Sequence, residues 1–181
     1  MKILSQYIAV CIFILSFPSL MMSQNTNPYL IYNGHRLLHG YDMGVNTSKG
    51  RTNWLRDNGR ELVMTYPAGQ GWGAVFITVG KPQSDPEQRR SKNFSTLDTL
   101  VISMKGDTGN EIVDIGIKDK NNYNDGSETK KSITLSTTYK EYKFALRNFT
   151  TADLHFLYVV CEFVFDGNKS IIIFVNSVTF K

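Results

Sequence analysis

A nine-residue apolar run, Leu157–Phe165, is the feature that most constrains the fold. Its length and its β-branched and aromatic content predict a β-strand rather than a helix. Because successive side chains of a strand point to opposite faces, the odd-numbered residues from Val159 to Phe165 are predicted to face the core. The even-numbered residues from Tyr158 to Val164 then share the other face. A lone charge is costly to bury, so we expect Glu162 on that face to meet a cation, a ligand or water.

Further short strand candidates recur along the chain between Gly, Pro and Asn turn signals. They are Tyr29–Tyr32, Glu61–Tyr66, Trp72–Val79, Leu100–Met104, Glu111–Lys118, Ser132–Ser136, Lys140–Leu146 and Ser170–Phe180, the last as one strand or a pair. Residues 35–60, rich in Gly, Asn, Asp and Ser, are predicted to form a long irregular loop, and 150–156 one helical turn. Short strands at regular spacing without a long amphipathic helix predict an all-β sandwich or jelly roll.

The N-terminus is predicted to lie outside this domain. Lys2 precedes an apolar run, Tyr7–Phe17, which Pro18 and small polar residues follow. This is the pattern of a secretory signal peptide, and the run is shorter than the roughly 20 residues that span a bilayer. We therefore expect a signal peptide at 1–23, a flexible lead-in at 24–28 and a single domain at 29–181. A retained N-terminal anchor is the alternative. The expected location is extracellular or periplasmic, without membrane insertion after signal cleavage.

The cysteine content and the charge distribution argue against a reactive thiol and against nucleic-acid binding. If Cys11 leaves with the signal peptide, Cys161 is the only cysteine left, and its place on the core face predicts a buried, inert thiol. The net charge of +4 is spread along the chain. Its basic cluster at 88–92 reads as a solvated loop, and no basic stripe with interleaved aromatic residues predicts nucleic-acid binding. A monomer is expected.

Three strand candidates have one aliphatic face and one mixed face. The mixed faces carry Trp72 and Phe76, Asp114 and Lys118, and Tyr158 and Glu162. If these strands share a sheet, the six side chains form a concave patch suited to sugars. Aromatic rings stack on the C–H faces of a pyranose, and charged groups bond its hydroxyls.

Two structural alternatives stand beside this interpretation. The aromatic residues could pack under the long loop, with Lys118 and Glu162 as a structural ion pair. Trp54 could line the same site, although plugging one end of the sandwich is the favoured role.

Several stretches, taken together in their order, resemble known proteins. They are 66–76, 97–106, 115–119, 125–130 and 157–165. They resemble carbohydrate-binding modules with the galactose-binding-like jelly-roll fold, over roughly Tyr29 to Lys181. The resemblance implies non-catalytic glycan binding on a concave sheet and leaves the sugar open.

No cofactor is expected with certainty. The 119–128 loop lacks EF-hand spacing, and Asn176 stands where such modules often have an acidic residue. A structural calcium ion therefore stays a possibility for which the sequence identifies no ligands.

Three functions remain to be compared. The first is a secreted protein that binds a polysaccharide or oligosaccharide and is not an enzyme. The second is a glycoside hydrolase that uses Asp114 and Glu162 as a carboxylate pair, although Lys118 offers either of them a simple partner. The third is an adhesion module that binds protein through the same patch.

Overall fold

The structure is a computed structural model that describes residues 29–181. The predicted signal peptide and lead-in, 1–28, lie outside the described residues. Eleven strands are present in the described part: β1 Leu30–Tyr32, β2 Tyr41–Thr47, β3 Leu55–Asp57, β4 Leu62–Tyr66, β5 Trp72–Val79, β6 Thr99–Gly106, β7 Ile112–Asp119, β8 Lys130–Thr134, β9 Lys140–Ala145, β10 Leu157–Asp166 and β11 Ile171–Phe180. Short 3-10 turns occur at Pro86–Gln88, Leu146–Asn148 and Leu154–Phe156.

The strands form two antiparallel sheets that pack face to face. One sheet has the order β3-β4-β11-β6-β9, with β1 paired to the C-terminal half of β11. The other is five-stranded, with the order β2-β5-β10-β7-β8. The predicted all-β sandwich is therefore confirmed, and the Leu157–Phe165 run lies in the central strand of the five-stranded sheet.

The prediction of a long irregular loop at 35–60 is wrong. The segment contains β2 and β3, which pair with β5 and β4 at the edges of the two sheets. On β2, Tyr41, Met43 and Val45 pack against the core, so the strand has the expected alternation. Its polar and glycine residues on the other face hid this pattern. At the C-terminus, Ile171–Phe180 is one continuous strand with a register shift between Val175 and Ser177.

The core is filled by the inward faces of both sheets. At one end, Trp54 makes edge contacts with Tyr66 and Phe165, at centroid distances of 5.6 and 5.4 Å. Tyr66 and Phe165 are stacked 5.3 Å apart. Trp54 is 4% exposed, and its indole N–H donates to the carbonyl of Arg51 at 3.0 Å. It therefore closes one end of the sandwich, as the favoured interpretation predicted.

Two residues of β10, Val159 and Val160, face the opposite way from the prediction. Val160 belongs to the core cluster, whereas Val159 lines a groove on the outer face. The register shifts relative to β7 both between Leu157 and Val159 and between Val159 and Glu162. A β-bulge adds a residue to one strand and breaks strict alternation, which simple period-two reasoning cannot detect. Beyond it, Cys161, Phe163 and Phe165 face the core as predicted.

No helix in the described part of the chain is long and apolar enough to cross a membrane.

Replacing Trp54 with alanine should lower the free energy of unfolding by about 3–5 kcal/mol, because it removes a large buried ring and its contacts with two other rings. Urea unfolding followed by circular dichroism measures this. The matched control is Tyr123→Ala, since Tyr123 is 76% exposed and should change stability by less than about 0.5 kcal/mol. Equal stability of the Trp54 variant and the natural protein would contradict its role in the core.

Candidate functional site

A groove crosses the outer face of the five-stranded sheet. Its volume is about 670 Å³, and side chains from all five strands line it. Residues 82–84 and 124–126 add walls from two loops. The six residues predicted from sequence, Trp72, Phe76, Asp114, Lys118, Tyr158 and Glu162, all line this groove. The structure thus brings together the whole predicted set, while its role in sugar binding stays a prediction.

The strand register arranges the floor of the groove in parallel rows. The first row pairs Trp72 with Asp166. In the second row, Val164 lies between Ala74 and Asp114, its partners on the two neighbouring strands. In the third row Glu162 lies between Phe76 and Gly116. Rows two residues apart along a strand are about 6.8 Å apart.

Aromatic rings occupy one side of the floor. The structural alternative required Trp72 to pack beneath the long loop. The Trp72 side chain is 43% exposed, so it does not pack there. Phe76 is half-buried, and its ring lies on Gly44 of the edge strand β2. A Cβ atom at Gly44 would lie 2.3 Å from Phe76 Cζ, so only glycine leaves room for this ring position. Trp72 and Phe76 together form an open aromatic surface along β5, beginning at its first residue.

Charged side chains occupy the other side and form a continuous chain of ion pairs. Lys118 Nζ lies 3.5 Å from Glu162 Oε2 and 3.2 Å from Glu128 Oε2, and Lys130 Nζ lies 2.5 Å from Glu128 Oε1. Glu162, Lys118 and Glu128 are all buried. Gly116 leaves the space above the strand in which the Glu128 and Lys130 side chains lie, 3.7 Å from where its Cβ would be.

The two carboxylates of this chain of ion pairs differ in environment. Burial raises the pKa of Glu162, and the attraction of Lys118 compensates only in part. Burial also disfavours ionised Glu128, but hydrogen bonds from Lys130 and its own backbone N–H, with the charge of Lys118, lower its pKa overall. The Oε2 atoms of both glutamates are buried, and their partner among the described residues is the Lys118 ammonium, at 3.2 Å from Glu128 and 3.5 Å from Glu162. The two carboxylates therefore support the groove floor from below through Lys118.

The loop wall is held in place by Tyr158 and Arg89. The Tyr158 hydroxyl accepts from the backbone N–H of Gln83 at 2.5 Å and donates to its carbonyl at 3.2 Å. The buried guanidinium of Arg89 lies 5.1 Å from the centre of the Tyr158 ring. It donates to the carbonyls of Gln83 and Ser84 on one loop, and of Lys120 and Asn122 on the other. Tyr158 therefore lines the groove with a hydroxyl that is already engaged.

Asp114 differs from the other predicted charges because it is free. It is half-buried, and no hydrogen bond or ion pair from the described residues reaches its carboxylate. Asp114, Val164 and Asp166 also line a second cavity of about 640 Å³, which extends towards the turns at 108–111 and 167–170. The two cavities therefore meet at these three residues.

Sequence reasoning missed several lining residues. Glu128 and Lys130 were assigned to a polar loop, and Asn46 and Gln83 to irregular segments. Glu128 lies two residues before β8. Because Lys130 and Ser132 are two residues apart on this strand, they share a face, and this spacing could have placed Lys130 on the groove face. The position of Glu128 depends on how the 119–129 loop folds back over Gly116. An Asx turn shapes this loop, because Asp125 accepts from the N–H and hydroxyl of Ser127.

Other reactive chemistry is limited in the described part of the chain. Cys161 is buried and unpaired, and burial raises the pKa of its thiol, so it is not a reactive group. No cluster of three or more His, Cys, Asp or Glu side chains there is arranged to hold a metal ion. A structural calcium ion stays a prediction.

Comparison with solved structures identifies the fold class. The family 30 carbohydrate-binding module of a Clostridium thermocellum cellulosomal cellulase aligns with a TM-score of 0.58 and 13% identity, over 84% of this chain and 96% of that one. The family 11 module from Clostridium thermocellum, in complex with a beta-1,3-1,4-mixed-linked tetrasaccharide, gives 0.56 and 16%, over 84% and 94%. A family 29 module variant complexed with mannohexaose gives 0.54 and 17%, over 84% and 89%.

The described residues therefore share the jelly-roll sandwich of carbohydrate-binding modules. No protein-family model and no curated protein matches the chain.

The Glu162→Gln variant should gain stability relative to the natural protein as the pH rises from about 4 to 7. A raised native pKa means that the protonated form stabilises the fold fully below the unfolded-state pKa of about 4.3, and that this contribution is lost as pH rises through the native pKa. Glutamine cannot ionise and therefore avoids this loss of stability.

Urea unfolding of both proteins at several pH values measures the difference. The control is Glu141→Gln on β9, because that carboxylate is exposed and its removal should leave the pH dependence unchanged. A Glu162→Gln variant that loses relative stability as pH rises would show instead that attraction to Lys118 outweighs burial.

Proposed function

We propose that this protein binds an oligosaccharide chain in the groove of the five-stranded sheet without cleaving it. The observation that carries the proposal is the exposed Trp72 ring beside a row of buried charged groups in one open groove. The fold likeness supports it, because two of the similar modules were solved with a mixed-linked tetrasaccharide and with mannohexaose. A secreted monomer completes the proposal, supported by the predicted signal sequence at 1–23.

The aromatic side of the groove suits the apolar faces of sugar rings. A pyranose stacked on Trp72 covers a ring that water otherwise contacts, which is favourable through the hydrophobic effect and the ring quadrupole. Ala74 and Val164 continue this apolar surface along the floor. Phe76 extends it towards the edge strand.

The charged side suits sugar hydroxyls. The ion pairs fix the directions of Lys118, Glu128 and Glu162 before a ligand arrives, so little side-chain entropy is lost on binding. Asp114, half-buried in the same groove and without an ion-pair partner among the described residues, can accept hydrogen bonds from hydroxyl groups. Arg89 and Tyr158 keep the wall at 82–84 in a fixed position, so the groove is formed in advance.

Removing the Trp72 ring should weaken glycan binding by about tenfold or more, because stacking and burial of that ring are both lost. Calorimetric titration of Trp72→Ala with a mixed-linked β-glucan tetrasaccharide, mannohexaose and cellohexaose tests this. Tyr123→Ala is the matched control, since Tyr123 is exposed but does not line the groove. Equal affinity of the Trp72 variant and the natural protein for a bound glycan would move the site elsewhere.

Tryptophan fluorescence gives a second readout of the same question. The chain has two tryptophans, and Trp54 is buried in the core while Trp72 is exposed in the groove. A bound glycan should therefore protect Trp72 from a soluble quencher and leave the Trp54 signal unchanged. A complete absence of binding across a broad glycan panel would favour the protein-binding alternative.

A glycoside hydrolase is the second candidate. Glu162 has the raised pKa that a general acid needs, and Asp114 is unpaired in the same groove. Against this function, Glu162 lies in ionic contact with Lys118, which two carboxylates share. That arrangement stabilises charge on the floor and leaves no proton donor poised above a scissile bond.

Incubation with the same glycans should release no reducing ends above the level of a buffer blank. Reducing-sugar assays over several days, with the Glu162→Ala variant in parallel, measure this. Release that the natural protein produces and the variant does not would overturn the non-catalytic proposal and establish Glu162 as a catalytic residue.

A further inference from the structure

The groove has the opposite charge to the protein as a whole. The chain carries a formal net charge of +4. In the groove the balance is reversed, because five carboxylates face two ammonium groups. The carboxylates are Asp114, Asp125, Glu128, Glu162 and Asp166, and the ammonium groups are Lys118 and Lys130. The adjoining cavity adds one of each sign, Glu111 and Lys169.

Both lysines of the groove are already engaged. Lys118 contacts Glu128 and Glu162, and Lys130 contacts Glu128 and donates to the carbonyl of Gly126 at 2.7 Å. They are therefore poorly placed to receive a carboxylate or sulfate from a ligand. Asp114 and Asp166 have no ion-pair partner among the described residues. The charge left over for a ligand is negative.

These two aspartates without an ion-pair partner lie near the exposed tryptophan, and Asp166 also accepts a hydrogen bond from the N–H of Gly167 at 2.7 Å. Asp166 on β10 is directly opposite Trp72 on β5. Val164 lies two residues before Asp166 on the same face of β10, and Asp114 on β7 is directly opposite Val164. Directly opposed side chains have Cβ atoms about 5 Å apart, and diagonal neighbours about 7–8 Å. A sugar ring on Trp72 would thus lie beside Asp166. Asp114, one strand further away, is a diagonal neighbour of Asp166, so a substituent that points from this ring towards Val164 would lie between the two carboxylates.

A second observation points to a ligand at this floor. The indole ring of Trp72, directly opposite Asp166, is 43% exposed in the groove. Covering an exposed aromatic ring is favourable, and a sugar ring would do so.

We propose that the groove selects glycans by charge and that its ligand is a chain of amino sugars, with a protonated amine held by Asp114 and Asp166 over the Trp72 end. The inference rests on the proposed function and names its substrate class. An ammonium group satisfies both requirements of the site, since it pairs with carboxylates and lies favourably against an indole ring. A uronic acid or sulfated sugar at the same place meets two uncompensated like charges.

Three hexamers of one β-1,4-linked backbone test the proposal. They are cellohexaose, the glucosamine hexamer, in which an ammonium replaces the C2 hydroxyl, and the glucuronic acid hexamer, which has a carboxylate at C6. Titrations at about pH 6 and low salt, where exposed carboxylates are ionised, should rank the glucosamine hexamer about three- to tenfold above cellohexaose. The glucuronic acid hexamer should bind weakest. Raising the salt concentration should compress these differences.

The Asp114→Asn/Asp166→Asn double variant should lose the preference for the glucosamine hexamer, so that the ratio of its affinities for the glucosamine hexamer and cellohexaose falls to about one. The matched control is Glu87→Gln/Glu141→Gln, which removes two exposed carboxylates outside the groove and should keep the preference. General attraction between net charges cannot mimic this result, because the positive chain as a whole favours the anionic hexamer.

Three outcomes would overturn the inference. They are a glucuronic acid hexamer that binds as tightly as the glucosamine hexamer, a preference that survives in the Asp114/Asp166 double variant, and no binding of the glucosamine hexamer. The proposed function fails separately, only if the neutral glycans used with Trp72→Ala also show no binding.

Discussion

An ionised carboxylate on a central strand is costly to bury unless a cation reaches it, and the Lys118 ammonium meets this requirement on the five-stranded sheet. Lys118 on β7 contacts Glu162 on β10 and Glu128 in the loop before β8. Lys130 closes the row at the sheet edge. Removal of one member of such a row leaves an uncompensated buried charge. The row therefore connects three neighbouring strands and fixes the loop that forms one wall of the groove.

Two glycines lie beneath the groove surface, and they differ in how tightly they are covered. At Gly44 a Cβ atom would lie 2.3 Å from Phe76 Cζ, so the position of this ring requires glycine. At Gly116 a Cβ atom would lie 3.3 Å from Glu162 Oε2 and 3.7 Å from Glu128 Cγ and Lys130 Cγ, so a small side chain there would need only a slight shift of Glu162. Glycine weakens a strand interior, and at Gly44 the packing of the Phe76 ring on the edge strand offsets that weakness.

The sequence was informative wherever alternation was regular. On β5 and β7, period two placed Trp72, Phe76, Asp114 and Lys118 on one face, and the structure brings them together. It failed where the backbone departs from regular pairing. The bulges of β10 exchange the faces of Val159 and Val160, and no residue type in the apolar run marks them. Glu128 was missed for a different reason, because a loop carries it to the groove and loop paths depend on tertiary contacts such as those of Arg89.

The Arg89 contacts explain why an open groove can persist on an antiparallel sheet. Four carbonyl groups from two loops converge on one guanidinium, whose planar, multi-donor geometry fits such an array. A lysine at this position would offer three donors from one nitrogen and could not reach all four carbonyls. Because the loops are fixed to each other through a buried side chain, the wall beside Tyr158 is ordered without a ligand. Binding then has little ordering entropy to overcome, and selectivity can come from the charges on the floor rather than from closure of the loops.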